Sequence, residues 1–204
     1  AWMMMGRSQY FNGDFTGAAA TFLYISRHFR WLPATVTEAK LWEARAYLAE
    51  GWPYEAEGVI NRIKPADLTN KELRRLYWFC LADLRIRQHD YENAVEPLRE
   101  LRKLSNSRQK LRVNFLLGQI LSELGRKKEA YDAFKAAGSS SSADYRTQFN
   151  ARIRQSEVFE GDDIEKEVKA LRRMTRFHRN KEYLDQVYYA IGNLYLSRRD
   201  TTNA

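Results

Sequence analysis

Few residue types carry chemistry, and this chain of 204 residues holds them sparsely, with three histidines and one cysteine. Metal or nucleophilic chemistry would need them grouped. His28, His89 and His178 are each isolated, with no cysteine or second histidine at ligand spacing. Cys80 stands alone, so it can form neither an internal disulfide nor a cysteine-rich zinc site. In Trp78-Phe79-Cys80-Leu81-Ala82 it reads as a small buried hydrophobe. Gly161-Asp162-Asp163 resembles the start of a cation loop, but it coincides with a turn between helices, where Asp162 suits a helix N-cap. The serines at 139–142 lack the strand–turn–helix setting of a nucleophile and read as a polar connector. No phosphate-cradling glycine loop and no two-histidine zinc helix occurs. This pattern argues against an enzyme and calls for no cofactor and no metal.

Charge is the other resource. The formal net charge is +8. Residues 1–69 carry 7 basic and 7 acidic side chains, so the whole excess lies in 70–204. It is densest in 169–181, where seven basic residues, counting His178, accompany Leu171, Met174 and Phe177 on one side of an expected helix. Lys169, Arg172, Arg173, Arg176 and Arg179 form a candidate docking patch for an acidic or anionic partner, with nucleic acid or cell-wall polymer as the alternative. Elsewhere basic residues alternate with acids, as in Arg126-Lys127-Lys128-Glu129, which marks a solvated helix face and speaks against nucleic acid as the main partner.

The elements that must position these residues follow from a repeat. Ala18, Ala56, Ala94, Ala130, Lys166 and Ala204 lie 38, 38, 36, 36 and 38 residues apart. A large residue follows the small one by four places in Phe22, Ile60, Leu98 and Phe134. Upstream, Gly6, Ala44, Ala82, Gly118 and Gly192 stand where the two helices of a hairpin approach most closely. Gly13, Gly51, Gly125 and Gly161 mark the hairpin turns, and Asp14, Asp90 and Asp162 the N-caps that follow. This is the tetratricopeptide pattern with a longer period than its usual ~34 residues. It predicts an all-α, right-handed superhelix of about eleven helices, or about five and a half hairpins, forming a single solenoid domain over 1–204. The residues from Leu117 to Ala137 keep the pattern most cleanly. Pro97 predicts that its helix is kinked or begins late. Both ends of the chain cut through a repeat, so further repeats, and any export signal, are expected outside it.

Proteins of this architecture hold partners on the inner faces of their first helices. The repeat frame places Arg7, Tyr10 and Phe11 there, then Glu38, Leu41, Arg45 and Leu48, then Phe79, Asp83, Ile86 and Arg87. Arg112, Phe115, Gln119 and Glu123 continue the face, followed by Gln148, Gln155 and Phe159, and then by Tyr189 and Asn193. Aromatic anchors mixed with arginines suit extended peptide segments of other proteins. The Lys/Asn clamp for a peptide's terminal carboxylate is not visible, since its positions hold Leu41, Phe79 and Phe115.

The stretches Gly6–Phe29, Glu38–Tyr47 and Gly51–Glu57 resemble the SprE/PorW-type tetratricopeptide lipoproteins of Bacteroidetes, most clearly over residues 2–60. That resemblance implies a periplasmic, outer-membrane lipoprotein supporting type IX secretion, and gliding where it exists, by binding other components of the machine. It implies membrane attachment only through a lipid anchor upstream of Ala1. A cytoplasmic adaptor that grips peptide segments is the alternative from the repeats alone.

Overall fold

The computed structural model describes residues 1–139 and 145–203, so the expectations placed on serines 140–142 and on Ala204 lie outside it. As the repeat requires, the described residues form eleven α-helices and two short 3₁₀ segments, with no strand among them. In chain order the helices are α1 (Trp2–Phe11), α2 (Phe15–His28), α3 (Pro33–Glu50), α4 (Pro53–Ile60), α5 (Lys71–Arg87) and α6 (Tyr91–Leu104). They continue as α7 (Ser107–Glu123), α8 (Lys127–Gly138), α9 (Tyr145–Glu157), α10 (Ile164–Met174) and α11 (Leu184–Ser197).

The chain divides into two units, Ala1–Ser105 and Asn106–Ala204. In the first, α1 packs on α2, α3 on α4 and α5 on α6, while α2 and α4 also pack on the helix that follows them. In the second, α7 pairs with α8 and α8 packs on α9. There α9, α10 and α11 enclose a core of Phe149, Ile153, Val168, Leu171, Val187 and Leu194.

The small-then-large rule explains the packing. Ala18, Ala56, Ala94 and Ala130 are fully buried, and so are Phe22, Ile60, Leu98 and Phe134 to within about 1%. Opposite them the first helix must also be small. A β-carbon added to Gly6 would lie 2.7 Å from Phe22 Cε1, and one added to Gly118 would lie 2.7 Å from Phe134 Cδ1. Local signals set the helix starts. Asp14 accepts from the Gly17 N–H at 2.9 Å and Asn70 from the Leu73 N–H at 2.9 Å, while α3 and α4 open on Pro33 and Pro53. The hairpin turns share one closure. The N–H groups of Asp14, Trp52, Asp90, Arg126 and Asp200 each donate to the carbonyl five residues back, at 2.9–3.1 Å.

Several expectations are corrected. The left-handed turn residue is Gly13, Gly51 and Gly125 as read, but in the third and sixth repeats it is His89 (φ 58°) and Arg199 (φ 61°), and Gly161 is not among the left-handed residues. In the fifth repeat the N-cap is Asp163, which accepts from the Lys166 N–H at 3.1 Å, rather than Asp162. Counting four residues from that cap, as from Asp14 to Ala18, puts Glu167 and not Lys166 at the small-residue position; Lys166 is exposed. Asp90 occupies its cap position, but its carboxylate accepts from Asn93 Nδ2 at 3.0 Å instead of a backbone N–H. α6 begins at Tyr91, ahead of Pro97, so the late-start alternative for that helix is excluded. Leu41 and Leu48 are fully buried in the first unit's core and do not line an inner face. The extra length of the second repeat lies in its link, because α4 has only 8 residues and a 3₁₀ turn at Pro65–Asp67 follows it.

The basic run is not one helix. α10 ends at Met174 and leaves the half-exposed Phe177 outside it. Past the end of α10 the Met174 carbonyl accepts from the Phe177 N–H at 3.2 Å and from Nδ2 of the fully buried Asn180 at 2.7 Å, while Asn180 Oδ1 accepts from the Tyr145 hydroxyl. No described helix is long and apolar enough to cross a membrane.

Candidate functional site

In the first unit, α3 and α5 present one stripe each toward a common cavity of about 450 Å³, which α1 also borders. Glu38, Trp42 and Arg45 are four and three residues apart on α3, and Glu72, Leu76 and Phe79 are four and three apart on α5, so each set shares a helix face. Arg7 reaches in from α1 and forms an ion pair with Glu38. Arg75 pairs with Glu72 at 2.8 Å.

Arg45 is the centre of an aromatic cluster. Its guanidinium carbon lies 4.2 Å from the Trp42 ring centroid and 5.0 Å from those of Tyr10 and Phe79. Arg7 lies over the other part of this cluster, 5.1 Å from the Trp42 centroid. Each such cation–π contact contributes about 0.5–2 kcal/mol, depending on its desolvation. Tyr10 and Phe11 approach Trp42 edge-on, with centroids 5.5 and 5.9 Å away. Trp42 is 8% exposed. Three donors here, Arg7 Nε, Trp42 Nε1 and Arg45 Nε, are buried without an acceptor. Glu43, one residue on from Trp42 and also buried, belongs to the scaffold: burial holds its carboxyl up at about 7 against the opposing pull of Arg62, Arg27 and Lys40.

In the second unit, α7, α9 and α11 form a cavity of about 300 Å³. Phe115 and Gln119 line it from α7, Asn150, Ile153, Arg154 and Glu157 from α9, and Gln186 and Tyr189 from α11. Arg154 is paired with Glu157 at 2.9 Å, leaving a row of carboxamides between two aromatic rings. Tyr189 is 70% exposed, whereas Phe115 rests on Phe134 with centroids 5.5 Å apart.

The residues expected on the inner face are therefore partly gathered. Arg7, Arg45, Glu38 and Phe79 meet in one cavity, with Tyr10 and Phe11 in the adjoining aromatic cluster; Phe115, Gln119 and Tyr189 meet in another. Asp83 and Arg87 bind each other at 3.0 Å on α5 and line neither. Arg112 is exposed and Asn193 half-buried, and neither lines these two cavities. Gln155 is buried, accepting from Arg152 Nη1 at 2.7 Å. Sequence reasoning overlooked Trp42, whose signal was its place on the Glu38–Arg45 stripe.

The basic patch is divided. Lys169, Arg172, Arg173 and Arg176 line one depression of about 750 Å³ along α10. Arg179 stacks 3.6 Å from the Tyr145 centroid, in a separate cavity of about 430 Å³ with Arg146, Phe149 and Lys181. Burial pushes the Cys80 thiol up to about 12, and its Sγ lies 3.5 Å from the Leu41 carbonyl oxygen, so it is a protonated packing residue. Among the described residues no group of three His, Cys, Asp or Glu is placed to hold a metal ion.

Residues 111–141 match the family model of the tetratricopeptide repeat. The match takes in most of α7 and α8, the hairpin whose sequence keeps the pattern most fully. No curated protein matches the chain.

Proposed function

We propose that this chain is a non-enzymatic scaffold that holds segments of other proteins against the first helices of its hairpins. The observation that carries the reading is that each unit opens a cavity between consecutive first helices. One is lined by Trp42, Arg45 and Phe79, the other by Phe115, Gln119 and Tyr189. Aromatic surface with hydrogen-bonding groups beside it binds extended chain without a reaction to catalyse. The tetratricopeptide match at 111–141 supports the same reading, since such repeats generally mediate protein–protein contact.

The resemblance over residues 2–60 supports a narrower version: a periplasmic protein, lipid-anchored upstream, that binds components of the type IX secretion machinery. A cytoplasmic adaptor is its rival. Capture of partners from a cell lysate by the tagged chain, with identification by mass spectrometry, separates the two. Envelope secretion components favour the first and soluble cytoplasmic proteins the second. A Gln119→Ala/Tyr189→Ala double variant, altered only at exposed positions, should lose the capture of partners held by the second unit's cavity, with its helical circular dichroism unchanged. Undiminished capture would remove the second unit's cavity from the account.

A second reading rests on the depression of Lys169, Arg172, Arg173 and Arg176. It would dock an acidic protein surface or a nucleic acid, and affinity would then fall steeply with salt. An Arg172→Ala/Arg173→Ala/Arg176→Ala variant that retards DNA or RNA as the parent does would end the nucleic-acid version.

A further inference from the structure

We infer that the cavity between α1, α3 and α5 is a socket for a carboxylate side chain, an Asp or Glu carried by an extended segment of a partner protein. The inference rests on the scaffold reading above and names the ligand group of one of its cavities.

The first argument is hydrogen-bond accounting. Buried polar side-chain atoms nearly always find partners. Among the described residues, the ones left without any are Arg7 Nε, Trp42 Nε1 and Arg45 Nε. All three residues line this cavity. All three atoms are donors, so what the site lacks is an acceptor.

The second argument is charge. Arg7 is neutralised by Glu38 and Arg75 by Glu72. Among the described residues Arg45 has no carboxylate within 4.0 Å. One uncompensated cation matches a monoanion. A phosphate dianion would leave a net negative charge in a half-buried site, which is unfavourable.

The third argument is shape. Tyr10, Trp42 and Phe79 surround the Arg45 guanidinium at 4.2–5.0 Å and fix it in place. Rings stabilise the cation but accept no in-plane hydrogen bond, so the fork lacks the in-plane acceptor that a planar carboxylate would supply. A carboxymethyl group fills a minor part of about 450 Å³. The remainder has room for the residues that flank it, which is why a chain segment rather than a small acid fits.

The test uses an array of random peptides of about ten residues, N-acetylated and anchored through their C-termini, so that no terminal carboxylate is free. The bound set should share an acidic residue at one position. Replacing that residue by Gln or Asn in the amidated, soluble peptide should weaken binding to the parent chain about tenfold. The same titration should shift the Trp42 indole N–H resonance. With Arg45→Gln the acid-to-amide difference should shrink to about twofold or less, with Arg45→Lys intermediate and the thermal midpoint showing that both variants fold. Binders with no acidic position, or an acid preference that survives Arg45→Gln, overturn the socket and leave the scaffold reading intact. A parallel titration with soluble peptides that lack Asp and Glu adds one arm: tighter binding of the free-acid form than of the amidated form overturns the socket in favour of terminal carboxylates. An array that returns no binder at all overturns the scaffold reading and the socket together. If Arg45→Gln does not fold, the acid-to-amide loss on the parent chain together with the Trp42 resonance shift decides the matter; the loss without the shift overturns the socket.

Discussion

Gly118 faces Phe134 so closely that a β-carbon on the glycine would stand 2.7 Å from the ring's Cδ1 and Cε1. The ring is almost fully buried, so it has nowhere to retreat. Gly118→Ala should therefore destabilise the chain by about 1–3 kcal/mol through overpacking. Adding Phe134→Leu should recover part of that loss. Urea unfolding of the four members of the cycle checks it, and strictly additive costs would show that the two residues do not meet in this way.

Glu167 stands where other repeats keep a buried alanine, and its carboxylate is tied to Arg152 and to the Tyr131 hydroxyl. Burial, and then the bond to Glu167, holds the Tyr131 phenol above its ordinary range. Removing one partner of a buried pair costs about 3–5 kcal/mol because the other charge is stranded. Arg152→Ala should approach that range, whereas Glu167→Ala, which restores the repeat's own residue, should cost less. The double variant should be more stable than Arg152→Ala alone. A denaturant series ranks the three.

Glu43 gives the fold a pH dependence. Its pKa is raised by burial from 4.5 to about 7 in the folded protein. The folded state therefore holds the proton more tightly than the unfolded chain. Stability is greatest, as far as this group is concerned, below about pH 4.5, and falls as pH rises through 7. The full loss is of the order of 3 kcal/mol above that pH. Glu43→Gln should thus melt higher than the parent at pH 8.5, with the advantage shrinking toward pH 5. Parallel melting curves at several pH values check the sign.

His89 adopts φ 58°, the conformation that Gly13, Gly51 and Gly125 take in neighbouring turns. A side chain there costs roughly 1 kcal/mol. His89 recovers some of this through its 3.1 Å hydrogen bond to the Tyr91 hydroxyl. His89→Gly should consequently be neutral or stabilising by up to about 1 kcal/mol, and Gly125→Ala destabilising by a similar amount. A Gly125→Ala variant as stable as the parent would show that the turn relaxes out of the left-handed region.

The amino-acid sequence alone determined the hairpin fold, its period, and four buried small–large pairs along the second helices. These rest on residues a few places apart, such as Ala18 with Phe22 and Ala130 with Phe134, and a helix brings such neighbours together whatever else the chain does. It did not determine which side of a first helix is inner. α3 packs against α2, α4 and α5 at once, so apolar residues surround it, and only the packed structure separates the buried Leu41 and Leu48 from the cavity stripe of Glu38, Trp42 and Arg45. The fifth repeat was misread by one residue for a related reason. Its marker is a carboxylate held by partners 15 and 36 residues away, and no local spacing announces them. The end of α10 likewise meets a distant partner, since Asn180, which caps the Met174 carbonyl, is held on its other edge by Tyr145, 35 residues away.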